Sequence, residues 1–289
     1  MQRSRLHAAV FVTLLGLLPA LMPGTAGAQA SKEFSPQVGQ EGKDVIWVPT
    51  PQALVERMLD MAKAGPSDYV VDLGSGDGRT VITAAKRGIR ALGIEYNPDM
   101  VELSKRNAEK EGVAARATFM KADIFETDFS QATVLTLYLL PSLNVKLRPT
   151  ILKMKPGTRV VSHAFTMDDW QADQTDNVEG RTAYMWIVPA RVEGTWRWSV
   201  AGSGPKDYEL MLRQQYQNVE GVVRMDEKMG QLRNVKLSGD QITFSVVETT
   251  AGNPITRQFT GRVNGNNIDG TVKHPGGEAK WTATRQPAK

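Results

Sequence analysis

The sequence has no cysteine, only three histidines, and no run of a single charge sign. Without thiols there is no disulfide, no thiolate nucleophile and no Cys-ligated zinc. His7, His163 and His274 lie far apart, and no Ser/His/Asp or His-rich metal pattern surrounds any of them. Lys and Arg number 35 against 31 Asp and Glu, and none of them cluster into the basic stripe that nucleic acid would require. A long hydrophobic run is also missing. Ala8 to Met22 is the most apolar stretch, and it is short and interrupted by Gly16 and Pro19, which argues against a stable membrane span.

That same end carries an export signature. Arg3 and Arg5 form a positive start, Ala8 to Met22 an apolar core, Pro23-Gly24 a break, and Ala28-Gln29-Ala30 a small-x-small cleavage site. Residues 1–30 are therefore expected to be a signal peptide, which would place the mature chain in the periplasm or outside the cell. An uncleaved, membrane-anchored leader is the alternative. Removing Arg3 and Arg5 leaves a nearly neutral protein.

The remaining residues are long enough for a domain of ordinary size and a smaller second one. Residues 31–47 are polar and read as a linker ending in the hydrophobic Val45-Ile46-Trp47-Val48. Pro49-Thr50-Pro51 opens a helix, with Thr50 as its N-cap and Pro51 at the first helical position. Leu54, Val55, Met58, Leu59 and Ala62 recur at helical spacing on one face. Strand and helix patterns then alternate. Strands are expected at Val70–Leu73, Ala91–Glu95, Ala117–Met120, Thr133–Leu139, Arg159–His163 and Thr182–Val188. Pro141 reads as a strand breaker before a helix at Asn144–Met154, and Met167–Gly180 reads as an acidic loop around Trp170. Such repetition predicts an α/β, doubly wound, Rossmann-like sheet over residues 48–190, with ligand at the carboxyl ends of its strands.

Beyond Ala190 the helical period disappears. Tyr208-Leu210-Leu212, Ile242-Phe244-Val246 and similar alternating segments are separated by turn signals such as Asn264-Gly265. About eight short strands over 191–289 predict a small all-β domain, either a sandwich or an up-and-down barrel. Gly194-Thr195-Trp196 resembles the Gly-x-Trp that opens lipocalin-type barrels.

The chemistry concentrates in Val70-Val71-Asp72-Leu73-Gly74-Ser75-Gly76-Asp77-Gly78-Arg79. Alternating glycines let the backbone take positive φ and let a ligand lie against the main chain. The spacing is not the Gly-x-Gly-x-x-Gly of a pyrophosphate cradle, and the Asp72 carboxylate would repel phosphate. An acid there suits a cationic ligand, such as the amino group and sulfonium of S-adenosylmethionine. Asp72, Glu95 and Asp123 each end a strand, so the sheet would gather them along one crevice. Asp72 and the loop Gly74, Ser75, Gly76, Asp77 and Gly78 would face the methionine part. Glu95 would take the ribose hydroxyls and Asp123 the adenine amine, with Ile124 against the ring. Each acid alone could instead cap the turn that follows it.

Pro49-Thr50-Pro51, Asp72-Leu73-Gly74-Ser75-Gly76-Asp77-Gly78-Arg79, Gly93-Ile94-Glu95-Tyr96-Asn97-Pro98, Asp123-Ile124-Phe125 and Tyr138-Leu139-Leu140-Pro141 occur in that order. Over residues 45–189 the chain resembles the class I methyltransferases grouped with the mitochondrial ATP-synthase c-subunit lysine methyltransferase and its bacterial relatives. The resemblance implies a seven-stranded sheet, S-adenosylmethionine as methyl donor and a protein lysine as acceptor. It carries the cofactor role to Asp72, Gly74, Gly76, Glu95 and Asp123, and has Val48 to Thr50 cover the methionine end. Tyr138, just past the fourth strand, would orient the acceptor amine as the catalytic candidate, or form a wall of the cofactor pocket. His163 is either a base or a core histidine, and Trp170 either a lid or a loop anchor. The last strand pair of the sheet is incomplete unless Trp196–Val200 supplies it. An export signal on a protein that uses a cytosolic cofactor leaves a second reading, a non-catalytic exported binding protein on the same fold.

Overall fold

The computed structural model describes residues 34–200, 207–250 and 253–287; the expected export signal at residues 1–30 lies outside the described residues. Helix α1 (Gln52–Met61) leads into β1 (Tyr69–Leu73), α2 (Arg79–Lys86), β2 (Arg90–Glu95), α3 (Pro98–Lys110), β3 (Ala117–Lys121), β4 (Val134–Leu137), α4 (Pro141–Ile151), β5 (Arg159–His163), β6 (Gln174–Val178) and β7 (Arg181–Ile187). The sheet order is β3-β2-β1-β4-β5-β7-β6. The first five strands run parallel, and β7 pairs antiparallel to both β5 and β6. Successive β1 residues point to opposite faces. Val70 joins Leu54, Val81 and Val101 in one core, while Val71 joins Leu135, Leu147 and Trp186 in the other. Strands buried on both faces need near-continuous apolar runs, and β1 and β4 supply them except at Asp72 and Thr136, which hydrogen-bond to each other. The order reverses between β1 and β4, opening a crevice at their carboxyl ends.

Four local expectations change. Thr50 does not cap α1: the N-cap position is Pro51 and no side chain caps it, because the Thr50 hydroxyl is held by the His163 ring instead, 3.1 Å from Nδ1. Pro141 opens α4 at its first turn rather than merely ending a strand, a place where its missing N–H costs nothing. The segment read as an acidic loop contains β6, whose polar sequence suits an exposed sheet edge. With β6 and β7 the sheet is complete, so Trp196–Val200 is not its missing strand.

Those residues belong instead to β8 (Gly194–Ser199). It starts a meander through β9 (Asp207–Gln215), β10 (Asn218–Met225), β11 (Lys228–Ser238), β12 (Gln241–Thr250), β13 (Asn253–Asn264), β14 (Asn267–His274) and β15 (Gly277–Arg285). Each strand pairs antiparallel with the next, and β15 returns to β8, closing an eight-stranded barrel. Of the two all-β alternatives the barrel is the one that forms, and closure removes the exposed edges a sandwich would keep. The seam is short, Thr284↔Arg197 and Arg285↔Trp196. The Arg285 guanidinium lies 4.5 Å from the Trp196 ring centre and also donates to the Glu193 and Arg191 carbonyls. Trp196 itself is buried and donates to the Val192 carbonyl. Inward positions form one aromatic core around Trp198, Tyr208, Phe244, Phe259 and Trp281.

Residues 39–47, expected to be part of a linker, fold back on themselves. Gly39 N–H donates to the Trp47 carbonyl, Trp47 N–H to the Gln40 carbonyl, and Glu41 bridges Ile46. This hairpin lies over the crevice at the strand ends.

Candidate active site

The glycine loop between β1 and α2 is braced from several sides. Gly74 and Ser75 N–H both donate to the Ile94 carbonyl on β2. Glu95, at the end of β2, accepts from Gly76 N–H through Oε2 (3.0 Å) and from Asn97 N–H through Oε1 (2.9 Å). From α3, Ser104 Oγ donates to the Gly76 carbonyl and Asn107 Nδ2 to the Asp77 carbonyl. Asp77 pairs with Arg79, whose guanidinium also donates to the Thr50 carbonyl, tying the loop to the segment before α1. Gly76 has φ +53°, and a Cβ there would come within 2.7 Å of the Trp47 indole nitrogen. Only glycine leaves that approach open.

Thr50, Asp72, Gly74, Ser75, Gly76, Asp77, Glu95, Asp123, Ile124 and Tyr138 all line one cleft. Gly78, grouped with them from the sequence, does not. Its φ is +83°, and a Cβ there would meet the Phe119 ring at 2.8 Å and Ser104 at 2.9 Å. It is glycine so that α2 can start tight against β3 and α3. Residues not singled out from the sequence complete the wall, notably Lys43, Trp47, Tyr96 and Met100. The signal for Trp47 is present in the apolar run before Pro49, but only the return of the hairpin brings it over Gly76.

The three acids differ sharply. Asp72 is buried, with Thr136 Oγ1 donating to its Oδ1 at 2.6 Å. Burial pushes its carboxyl up to about 7, with help from the nearby charges of Glu95 and Asp77. Glu95 accepts one bond on each oxygen, from the loop through Oε2 and from Asn97 through Oε1, which leaves each oxygen able to accept another, and it lines the cleft. Asp123 accepts from Phe125 N–H through Oδ1 and pairs with Lys43 through Oδ2, an ion pair that holds its carboxyl below the usual range. Lys43 also lies 4.6 Å from the centre of the Tyr96 ring. Asp123 therefore does cap its turn, and still lines the cleft.

The cleft fits a ligand with a cationic amino-acid end. Asp72 is a buried acid with only hydroxyl partners and like charges around it, and Ser75 Oγ is buried with no partner. Gly74 and Gly76 keep the backbone bare beside it, both at positive φ.

The ANTKMT methyltransferase domain matches residues 72–174. A protein-lysine N-methyltransferase of Saccharolobus islandicus (strain REY15A) is 44% identical over 151 residues, 50% of this chain and 94% of its own length. The chain belongs to this family of class I, S-adenosylmethionine-dependent methyltransferases. The rat ATP-synthase c-subunit lysine N-methyltransferase is 35% identical over 132 residues, 45% of this chain, and this methyltransferase spans 60% of that relative. The crystal structure of an RNA methyltransferase from Salinibacter ruber with S-adenosylhomocysteine shares 50% identity, covering 50% of this chain and 96% of that one, at a TM-score of 0.49. Membership selects the enzyme over the non-catalytic alternative. Asp72 and its glycine loop could hold the methionine end of the methyl donor, the part that carries its cationic amino group.

Tyr138, just beyond β4, lines both this cleft and a second, adjoining cavity of about 500 Å³. Its ring stacks on His163 at 3.8 Å between centres. His163 is buried, its Nδ1 is engaged by Thr50, and burial followed by the charge of Arg181 brings it down to about 4. It is a neutral support behind Tyr138, which is the core role rather than that of a base. Trp170 is fully buried and donates to Gln217 Oε1 at 2.9 Å; it anchors a loop and is not a lid.

Proposed function

We propose that this methyltransferase acts on the side-chain amine of a protein lysine. The second cavity carries the reading. It adjoins the cofactor cleft at Tyr138 and is lined by Ile46, Val48, Leu139, Leu140 and Phe165, with Glu41, Lys43 and Asp44 from the hairpin; Lys43 is already paired with Asp123. An apolar cavity whose hairpin side carries two carboxylates, the one lysine beside them being held by Asp123, suits a side chain with a methylene stem and a cationic head. The same carboxylates would repel the phosphates of RNA. The archaeal relative, itself a protein-lysine N-methyltransferase, supports the same acceptor.

When bound, S-adenosylmethionine supplies a methyl group already activated on a sulfonium. What the chain contributes is alignment in a dry crevice and a neutral acceptor amine. Apolar walls favour loss of the ammonium proton by desolvation. The Tyr138 ring, fixed from behind by His163, forms the junction of the two cavities and its hydroxyl orients the amine.

Incubation of the full chain with radiolabelled S-adenosylmethionine and total cell protein or total RNA, followed by amino-acid analysis, tests the acceptor. Methyllysine in the protein fraction is the expected product, and label confined to RNA would overturn the reading. We also propose that residues 1–30 direct export, on the strength of the signature at Arg3 to Ala30. An amino terminus at Ser31 in the periplasmic fraction supports it, and an intact leader on a cytosolic protein would refute it. Among the described residues no helix is long and apolar enough to cross a membrane.

A further inference from the structure

No described residue of the barrel lines either cavity, yet the barrel grips the segment that forms one wall. Phe165 faces the second cavity and stacks with Tyr138, 6.1 Å between ring centres. It sits in a segment that leaves β5 through Ala164 at φ +62° and passes Asp168 at φ +60°. Two non-glycine residues in the left-handed region hold that shape only if the surroundings impose it. Part of the restraint comes from α4. Asn144 Nδ2 donates to the Phe165 and Thr166 carbonyls (3.3 and 3.2 Å), and the Arg148 guanidinium to the Met167 carbonyl (2.7 Å).

The sheet domain also holds this segment through the Arg148–Asp169 ion pair, Trp186 Nε1 donating to the Trp170 carbonyl (2.7 Å) and Ala164 N–H to the Thr182 carbonyl (2.8 Å). Further restraint comes from the two-residue turn between β9 and β10. Tyr216 stacks on Trp170 at 5.7 Å with the rings inclined by 20°. Its hydroxyl donates to Asp169 (3.1 Å), and the Arg148 guanidinium lies 5.5 Å from its ring centre. Gln217 accepts from the Trp170 indole through Oε1 and donates to the Gln171 carbonyl through Nε2 at 2.7 Å. Tyr216 itself has φ +55°. Hairpin turns of this length favour Gly or Asn where φ is positive. A tyrosine there is strained, and its side chain is the part of it that meets the sheet domain.

We infer that Tyr216 and Gln217 are positioning residues for the methyl acceptor: the barrel's β9–β10 turn clamps Asp169–Trp170 and thereby sets the Phe165 wall of the second cavity. This rests on that cavity being the acceptor channel. It also gives the barrel a role in an enzyme whose archaeal relative is too short to hold both domains, since 151 matched residues make up 94% of it.

The test uses the full chain carrying Tyr216→Gly, Tyr216→Phe or Gln217→Ala. For each, S-adenosylhomocysteine affinity is measured by calorimetry, kcat and KM on a lysine-containing acceptor protein, and amide exchange across residues 164–170. Tyr216→Gly relieves the positive φ, so the barrel stays folded while the clamp is lost. We expect its acceptor KM to rise about two- to thirtyfold, the range seen for residues that act through others, with cofactor affinity and kcat at saturating acceptor unchanged. Exchange over 164–170 should quicken while that of the glycine loop does not. Tyr216→Phe keeps the stack and should fall between Gly and wild type. A folded Tyr216→Gly variant with wild-type KM and wild-type exchange would overturn the inference. Failure of the wild type to methylate any protein lysine would instead overturn the acceptor reading beneath it, and the exchange result would still show whether the clamp exists.

Discussion

The sheet domain and the barrel each bury ionisable groups, and they do so in opposite ways. In the barrel, Glu248 and Arg257 are both buried and answer each other, Arg257 Nε donating to Glu248 Oε1 at 3.1 Å. In the sheet domain Asp72 is buried beside a glycine loop, with threonine hydroxyls for partners and two further acids near by. A paired buried charge belongs to the architecture, whereas an unpaired one in a cleft awaits a ligand. The remaining inward positions sharpen the contrast. Barrel rings fill the interior, with Trp198 stacked on Tyr208 at 5.0 Å and Phe244 on Phe259 at 4.9 Å, while the strand ends of the sheet leave two adjoining cavities.

If the two acids differ in kind, their removal must have opposite consequences. Glu248→Ala strips Arg257 of its buried carboxylate and should destabilise the chain by about 3–5 kcal/mol, read by denaturant unfolding, with the cofactor affinity of the folded fraction intact. Wild-type unfolding of that variant would erase the contrast. Asp72→Ala or Glu95→Ala should each weaken cofactor binding by about 1.5–3 kcal/mol, the usual worth of hydrogen bonds to a charged group. Asp72→Asn should do so while making the ligand-free chain more stable at pH 8, because it removes an uncompensated charge. Calorimetry and thermal melts on the same sample decide it, and a variant that binds like wild type would remove Asp72 from the site.

Gly76→Ala probes the hairpin rather than the acids. At φ +53°, with a Cβ 2.7 Å from the Trp47 indole nitrogen, alanine should cost about 1–3 kcal/mol through backbone strain and push the hairpin away from the cleft. Pairing it with Trp47→Ala should recover the steric part and leave the strain. If the double variant is no better than the single one, Trp47 does not limit the approach.

How much of this can be read from the chain alone follows from how local each signal is. Asp72, Glu95 and Asp123 are legible because each ends a short apolar strand, and parallel strands bring such ends together. Tyr138 is legible for the same reason. Gly78 is not, because an alternating glycine motif does not distinguish a residue that faces ligand from one that lets Phe119 and Ser104 approach. Thr50 reads as a cap because the sequence before α1 has the right residue types; its competitor, His163, is more than a hundred positions away. β6 escapes detection because an edge strand needs little apolar content. The placement of the hairpin over the cleft and the Tyr216 clamp leave no local trace, since each depends on a contact between distant segments, Lys43 with Asp123 and Tyr216 with Trp170 among them, and the barrel is distinguishable from a sandwich only once β15 meets β8.

The smallest effect expected is on pH, and it singles out Asp72. Its carboxyl stands at about 7 in the ligand-free protein against an ordinary 3.8. Between about pH 4 and 7 the folded chain holds a proton that the unfolded chain has released, so stability falls as pH rises through that window and levels off above it. A cationic amino-acid group beside Asp72 favours the carboxylate and draws its pKa down. Binding below pH 7 must then release a proton, and affinity must rise with pH until about 7. Between pH 8 and pH 6 the loss should approach tenfold, equivalent to about 1.4 kcal/mol. Titration with S-adenosylhomocysteine in two buffers of different ionisation enthalpy measures both affinity and proton release. Asp72→Asn should flatten the dependence, since an amide has no proton to lose. Equal wild-type affinities at the two pH values, with no proton released, would mean that the acid buried at the end of β1 does not face the ligand's positive end.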